Sequence, residues 1–115
     1  VKEMSNEGYK LVRDKIPEII RDSGSSGETR RVTDLQEYRT LLWRKMLEEV
    51  EELQGSLTNC VQHEIEDELA DCYEVLIALG ETYRCRSIID VAQEKLHKRG
   101  GFYQGYVLKV DKPEE

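Results

Sequence analysis

Three features of the 115-residue sequence predict an all-α fold. Charged residues make up 36% of the chain, which suits helices with long solvated faces. Apolar residues recur at helical spacing on both sides of Gly55. Capping signals and Ser/Gly punctuation divide the chain into helix-sized stretches. The expected architecture is an antiparallel helical bundle of about four helices. A minor short β pairing between Thr29–Thr33 and Tyr106–Val110 is also expected, because Tyr106-Val-Leu-Lys-Val110 alternates like a strand. The length fits a single domain with a modest core, placed at 9–110, with flexible ends at 1–8 and 111–115.

The first helix is short. Asp14 is its expected cap, Pro17 is tolerated in its first turn, and it ends before Gly24. Arg13 and Lys15 sit at its start, where backbone N–H groups favour anions, so both are candidate phosphate contacts as well as ordinary surface cations. Ser23-Gly-Ser-Ser-Gly27 is a flexible loop by composition. Asp34 with Glu37 makes a capping-box-like start for the second helix, and Gly55 is its expected stop. The third helix is expected from about Cys60 to Tyr83. Ser87 with Asp90 caps the fourth, which ends at Gly100-Gly101 with Lys95, Lys98 and Arg99 on its last turns. A helix dipole favours cations there, and the same cluster is a candidate clamp for a triphosphate.

The second and third helices carry the chemistry. Each holds an acid pair at i, i+3: Glu49 with Glu52, and Glu68 with Asp71. At about 100° per residue, Leu35, Leu42, Met46, Val50, Leu53 and Leu57 form one apolar stripe. Glu49 falls roughly 60° and Glu52 about 120° to one side of it. On the third helix the stripe is Val61, Ile65, Leu69, Cys72, Leu76 and Leu79. Glu68 lies roughly 50° and Asp71 about 110° off, in the same rotational sense. A short link makes the two helices antiparallel neighbours, so the four carboxylates converge on one edge of the seam. Glu64 shares that flank as a candidate outer acid, and His63 beside it is weak evidence for a ligand.

Converging acids repel and raise one another's pKa unless something neutralises them. Carboxylate oxygens suit a hard divalent cation, Mg²⁺ or alternatively Mn²⁺. The competing reading is a solvated acidic face. Trp43 and Leu47, with Tyr73 and Ile77, widen the apolar faces of the two helices beyond what a small monomer buries, which points to a homodimer.

The net charge of -7 argues against a nucleic-acid polymer as partner, while leaving room for a local basic pocket that takes a small phosphorylated ligand. No run of about 18 apolar residues marks a membrane span, and no signal peptide is visible. Cys60, Cys72 and Cys85 are too scattered for a zinc knuckle, and free thiols fit a cytoplasmic location.

Glu48-Glu49-x-x-Glu52, Glu68-x-x-Asp71 and the basic ending Lys98-Arg-Gly-Gly-Phe102 together resemble the MazG-like all-α nucleoside triphosphate pyrophosphatases. The opening Lys10-Leu-Val-Arg-Asp-Lys-Ile-Pro-Glu-Ile-Ile20 looks like a house-cleaning or phosphoribosyl-ATP pyrophosphohydrolase-like subfamily of them. The resemblance covers about Lys10 to Phe102. It implies a dimeric helical fold and Mg²⁺-dependent cleavage of a nucleoside triphosphate between the α and β phosphates, giving a monophosphate and pyrophosphate. It further implies Glu49, Glu52, Glu68 and Asp71 as metal ligands and Glu48 as the acid that orients or deprotonates the attacking water. Lys95, Lys98 and Arg99, with Arg13 and Lys15, would bind phosphate. Phosphoribosyl-ATP is an alternative substrate for the same acids, and a non-catalytic acidic interaction module is the alternative from another class.

Overall fold

The computed structural model describes residues Gly8 to Asp111. They form four helices, α1 (Ile16–Asp22), α2 (Leu35–Asn59), α3 (Gln62–Thr82) and α4 (Ile88–Arg99), and among the described residues there is no strand. The fold is all-α. The single domain expected over 9–110 comprises two compact units, with the boundary between Cys85 and Arg86. The loose ends expected at 1–8 and 111–115 lie outside the described residues, apart from Gly8 and Asp111.

The first unit is built on α2 and α3, the helices with extensive mutual packing. Asp34 starts α2: its carboxylate accepts the Glu37 N–H at 2.8 Å, filling one of the donors a helix start leaves open. The stop expected at Gly55 is not used. The helix runs through it to Asn59, and the left-handed turn falls on Cys60 (φ 57°), whose N–H donates to the Ser56 carbonyl. A glycine in a helix interior costs about 1 kcal/mol against alanine, which does not end a helix whose next turn is packed; here that turn buries Ser56. Only Cys60 and Val61 separate α2 from α3, so the two run antiparallel. Arg39, near the start of α2, donates to the Thr82 carbonyl at the end of α3 and stacks 3.9 Å from the Tyr83 ring centre.

The buried line of α2 is Leu42, Glu49 and Ser56, a seven-residue spacing, with Leu41 beside it. Val50 and Leu57, placed on the apolar stripe by periodicity, stay half-exposed, as do Leu35 and Leu69. The seam is thus rotated toward the acids. Trp43, Leu47, Tyr73 and Leu76 are also half-exposed on the two helices.

Asp14 does not cap α1. Lys15 occupies the cap position with no side-chain hydrogen bond, because a turn closed by Ile16 N–H to Arg13 O has already wound the backbone and Pro17 fixes the first helical turn after it. In the second unit, Ser87 Oγ accepts the Asp90 N–H as expected, and α4 ends at Gly100 (φ 79°). The β pairing is absent among the described residues. Thr29–Thr33 and Tyr106–Val110 are both irregular, and Tyr106, Val107 and Leu108 are almost fully exposed. Five alternating residues do not hold a strand without a sheet edge to take their hydrogen bonds.

The core of the first unit is so small that it concentrates stability in few side chains. Leu42→Ala should lower the unfolding free energy by about 2–5 kcal/mol, whereas Leu57→Ala should cost well under half of that. Urea denaturation followed by circular dichroism would measure both.

Candidate functional site

Glu49 is 5% exposed, nearly as deep as Leu41 and Leu42. Oxygens of Glu49, Glu68 and Asp71 lie within 4.8 Å of one another, and so do those of Glu48, Glu49 and Glu52. Glu49 belongs to both triads, so the acids predicted from the sequence meet around it. The wheel placed Glu49 on a flank; the structure places it in the seam itself, because the helices pack along the Leu42–Glu49–Ser56 line. Glu64 and His63 are exposed and belong to neither triad.

Burial raises the Glu68 carboxyl most; the hydrogen-bonding approach of Glu49 and the charges of Glu52, Glu49 and Asp71 add to it, and its pKa is pushed up to about 7. Its Oε2 is buried with no hydrogen-bond partner. Such an orphaned acceptor is costly and asks for a proton or a cation. Burial also pushes the Cys72 thiol up, with Glu49, Glu68 and Asp71 adding to the effect, which makes it a poor nucleophile.

Protein cations answer part of the negative charge. Lys45 Nζ lies 2.9 Å from Glu48 and 3.2 Å from Glu49. Burial opposes the Lys45 ammonium, but Glu48 and Glu49 outweigh it and its pKa is raised. Lys45 in turn holds the Glu48 carboxyl below its ordinary range. Lys10 stands 3.8 Å from Glu48. Arg13 ion-pairs with both Asp71 and Glu74.

The predicted phosphate contacts separate into groups. Arg13 is at the acids, spending its guanidinium on Asp71 and Glu74. Lys15 is exposed at the cap of α1. Lys95, Lys98 and Arg99 are exposed on the last turns of α4, in the second unit. Sequence reasoning missed Lys45, although its i, i+3 and i, i+4 spacing to Glu48 and Glu49 was readable. It also missed the pairing of the buried Glu37 with the exposed Arg30, whose guanidinium lies 4.8 Å from the Tyr9 ring centre.

All the acids offer oxygen, and one oxygen is buried without a partner, so the donor set fits a hard divalent cation. No described helix is long and apolar enough to cross a membrane. Neither family models, nor characterised proteins, nor solved structures give a significant match to the chain.

Glu68 sets a pH dependence. Its carboxyl titrates near 7 in the fold against an ordinary value of 4.5, so the folded state binds the proton more tightly than the unfolded chain. Stability from this group is complete below about 4.5 and is lost as pH rises through 7. In EDTA the melting temperature of the wild type should fall between about pH 5 and pH 8, and Glu68→Gln should flatten that slope. Parallel melting profiles for the two proteins would count against it.

Proposed function

We propose that this protein is a divalent-metal-dependent nucleoside triphosphate pyrophosphohydrolase, cleaving between the α and β phosphates to release pyrophosphate and acting on modified or damaged nucleotides. The observation that carries the reading is the burial of Glu49 at the centre of two acid triads, beside a Glu68 oxygen with no partner. A solvated acidic face would leave these groups in water. The resemblance of Glu48-Glu49-x-x-Glu52 and Glu68-x-x-Asp71 to the MazG-like enzymes supports the same reaction.

Glu49, Glu52, Glu68 and Asp71 would hold Mg²⁺, or Mn²⁺ in its place. When bound, such an ion neutralises the acids, screens the phosphates and lowers the pKa of water. Glu48 suits the task of orienting the attacking water. Lys45 keeps it ionised and fixed, and a carboxylate held below its ordinary range accepts an O–H hydrogen bond better than it removes a proton. Arg13, at the edge of the acids, is the group that would bind phosphate charge.

A second reading is favoured by Lys45, Lys10 and Arg13, which already offset much of the acid charge. On it the protein is a non-catalytic acidic interaction module. The two readings part on one assay: pyrophosphate release from ribo- and deoxyribonucleoside triphosphates, standard and modified, with and without Mg²⁺. The hydrolase reading expects Mg²⁺-dependent release that falls about 100-fold or more in Glu49→Ala. It expects a fall of about 100-fold in Glu48→Gln. No release from any nucleotide, together with no Mg²⁺-induced rise in melting temperature, would leave the interaction module.

The half-exposed Trp43, Leu47, Tyr73 and Leu76 support a homodimer as the working form. Sedimentation equilibrium should return about twice the chain mass of 13.4 kDa, and Trp43→Glu should shift it to the monomer.

A further inference from the structure

In the first unit, a cleft of about 860 Å³ is lined by residues of the segments 9–14 and 29–38. Small-molecule sites typically enclose about 300–1,000 Å³. We propose that this cleft binds the nucleoside monophosphate half of the substrate, with the base against Tyr38 and the phosphate toward Lys10 and Arg13. The direction of the ligand rests on the pyrophosphohydrolase reading; the cleft's preference for a nucleotide rests on its own walls.

Those walls run against the charge of the chain. The net charge is -7, yet Lys10, Arg13, Arg30 and Arg31 all line this cleft. Of its two carboxylates, Asp14 and Asp34, the second is engaged in capping α2. The cations differ in what they already hold. Arg30 is locked to Glu37 and lies over the Tyr9 ring, so it shapes the wall. Arg31 is exposed and makes no ion pair among the described residues, so its charge is open to a ligand. Tyr38 is half-buried and presents aromatic surface beside these charges, while the Tyr9 ring is covered by Arg30. Flat apolar surface next to unneutralised guanidinium suits a base joined to a phosphate. Pyrophosphate alone has no apolar surface to place against the ring.

The cleft also leads to the acids. A smaller hollow of about 220 Å³ shares Tyr9, Lys10, Leu11 and Leu41 with it and is lined at the α2 side by Lys45 and Glu48. Lys10 and Arg13 line the cleft and each pairs with an acid at the triads, Glu48 and Asp71. A ligand lying along the cleft therefore brings one end to the carboxylates. That end has to be the phosphate, because Tyr38 lines the cleft but not the hollow and sits ten residues before Glu48 on α2, about 15 Å along the helix.

Isothermal titration calorimetry of the full chain in EDTA, with AMP, GMP, CMP and UMP and with pyrophosphate as separate probes, tests the assignment without any metal. At least one monophosphate should bind, and Arg31→Ala and Tyr38→Ala should each weaken it about tenfold or more. Tyr38→Phe, which keeps the ring, should bind as the wild type does. Arg31 is exposed, so its variant keeps the fold even where Tyr38→Ala does not. Failure of all four monophosphates to bind, binding unchanged in both alanine variants, or binding of pyrophosphate alone would each overturn the proposal. Monophosphate binding lost in the variants, with no pyrophosphate release from any triphosphate, would uphold the cleft and remove the hydrolase. Release with KM unchanged in Arg31→Ala and Tyr38→Ala would do the reverse.

Discussion

A carboxylate taken out of water has to be answered by positive charge or by a proton, and Glu49 imposes that demand on the centre of the α2–α3 seam. The desolvation penalty of a buried ion is several kcal/mol, comparable with the whole stability of a small domain. A core whose buried apolar residues are Leu41 and Leu42 has little to spare against it. The surrounding groups are arranged accordingly. Lys45 sits one turn before Glu49 and bridges it to Glu48, and the Glu68 carboxyl shifts toward its neutral form. A protein under no functional constraint would be more stable with an apolar side chain in this seam. On the proposed reading, binding a cation is what the acid does there.

The same acids hold the segment before α2 in place. Between Gly8 and Asp34 the only helix is the seven-residue α1, too short to be stable by itself. Ion pairs tie it to α2 and α3, Lys10 to Glu48, Arg13 to Asp71 and Glu74, Arg30 to Glu37, alongside the half-buried Leu11, Ile16 and Ile20. Exposed ion pairs contribute little each and are screened by salt. The cleft walls therefore depend on the charge state of the triads, and a change at the acids is felt in the cleft through Lys10 and Arg13.

The helices and the acid cluster were legible in the sequence because both follow from a 3.6-residue period. Asp34 and Ser87 cap where their spacing to Glu37 and Asp90 said they would. Periodicity failed where it counts only apolar residues. It placed Val50 and Leu57, which are half-exposed, on the stripe of α2 beside the buried Leu42, and moved Glu49 to a flank, because an acid adds nothing to an apolar stripe even when it is the residue being buried. Gly55 misled because glycine ends a helix only where the chain needs a left-handed residue, and here Cys60 takes that position. The pairings of Arg13 with Asp71 and Glu74 span some sixty positions and leave no local trace. The pair Arg30–Glu37 was closer to view: Glu37 is the third residue of a capped helix and turns its carboxylate to Arg30.

Charge balance connects the seam to the cleft. In the metal-free fold Lys45, Lys10 and Arg13 occupy carboxylates that a divalent ion would claim on the hydrolase reading. An ion shared by several acids attracts them more strongly than a lysine or arginine does, through two charges at shorter distance. On that reading Arg13 and Lys10, which line the cleft, would have their charge less fully cancelled. A polyphosphate meets both consequences at once, a cation among the acids and uncancelled basic groups beside them. The acids that make the fold costly and the cations that offset them in the free protein are, on the hydrolase reading, two halves of one binding site, each strengthened by the occupation of the other.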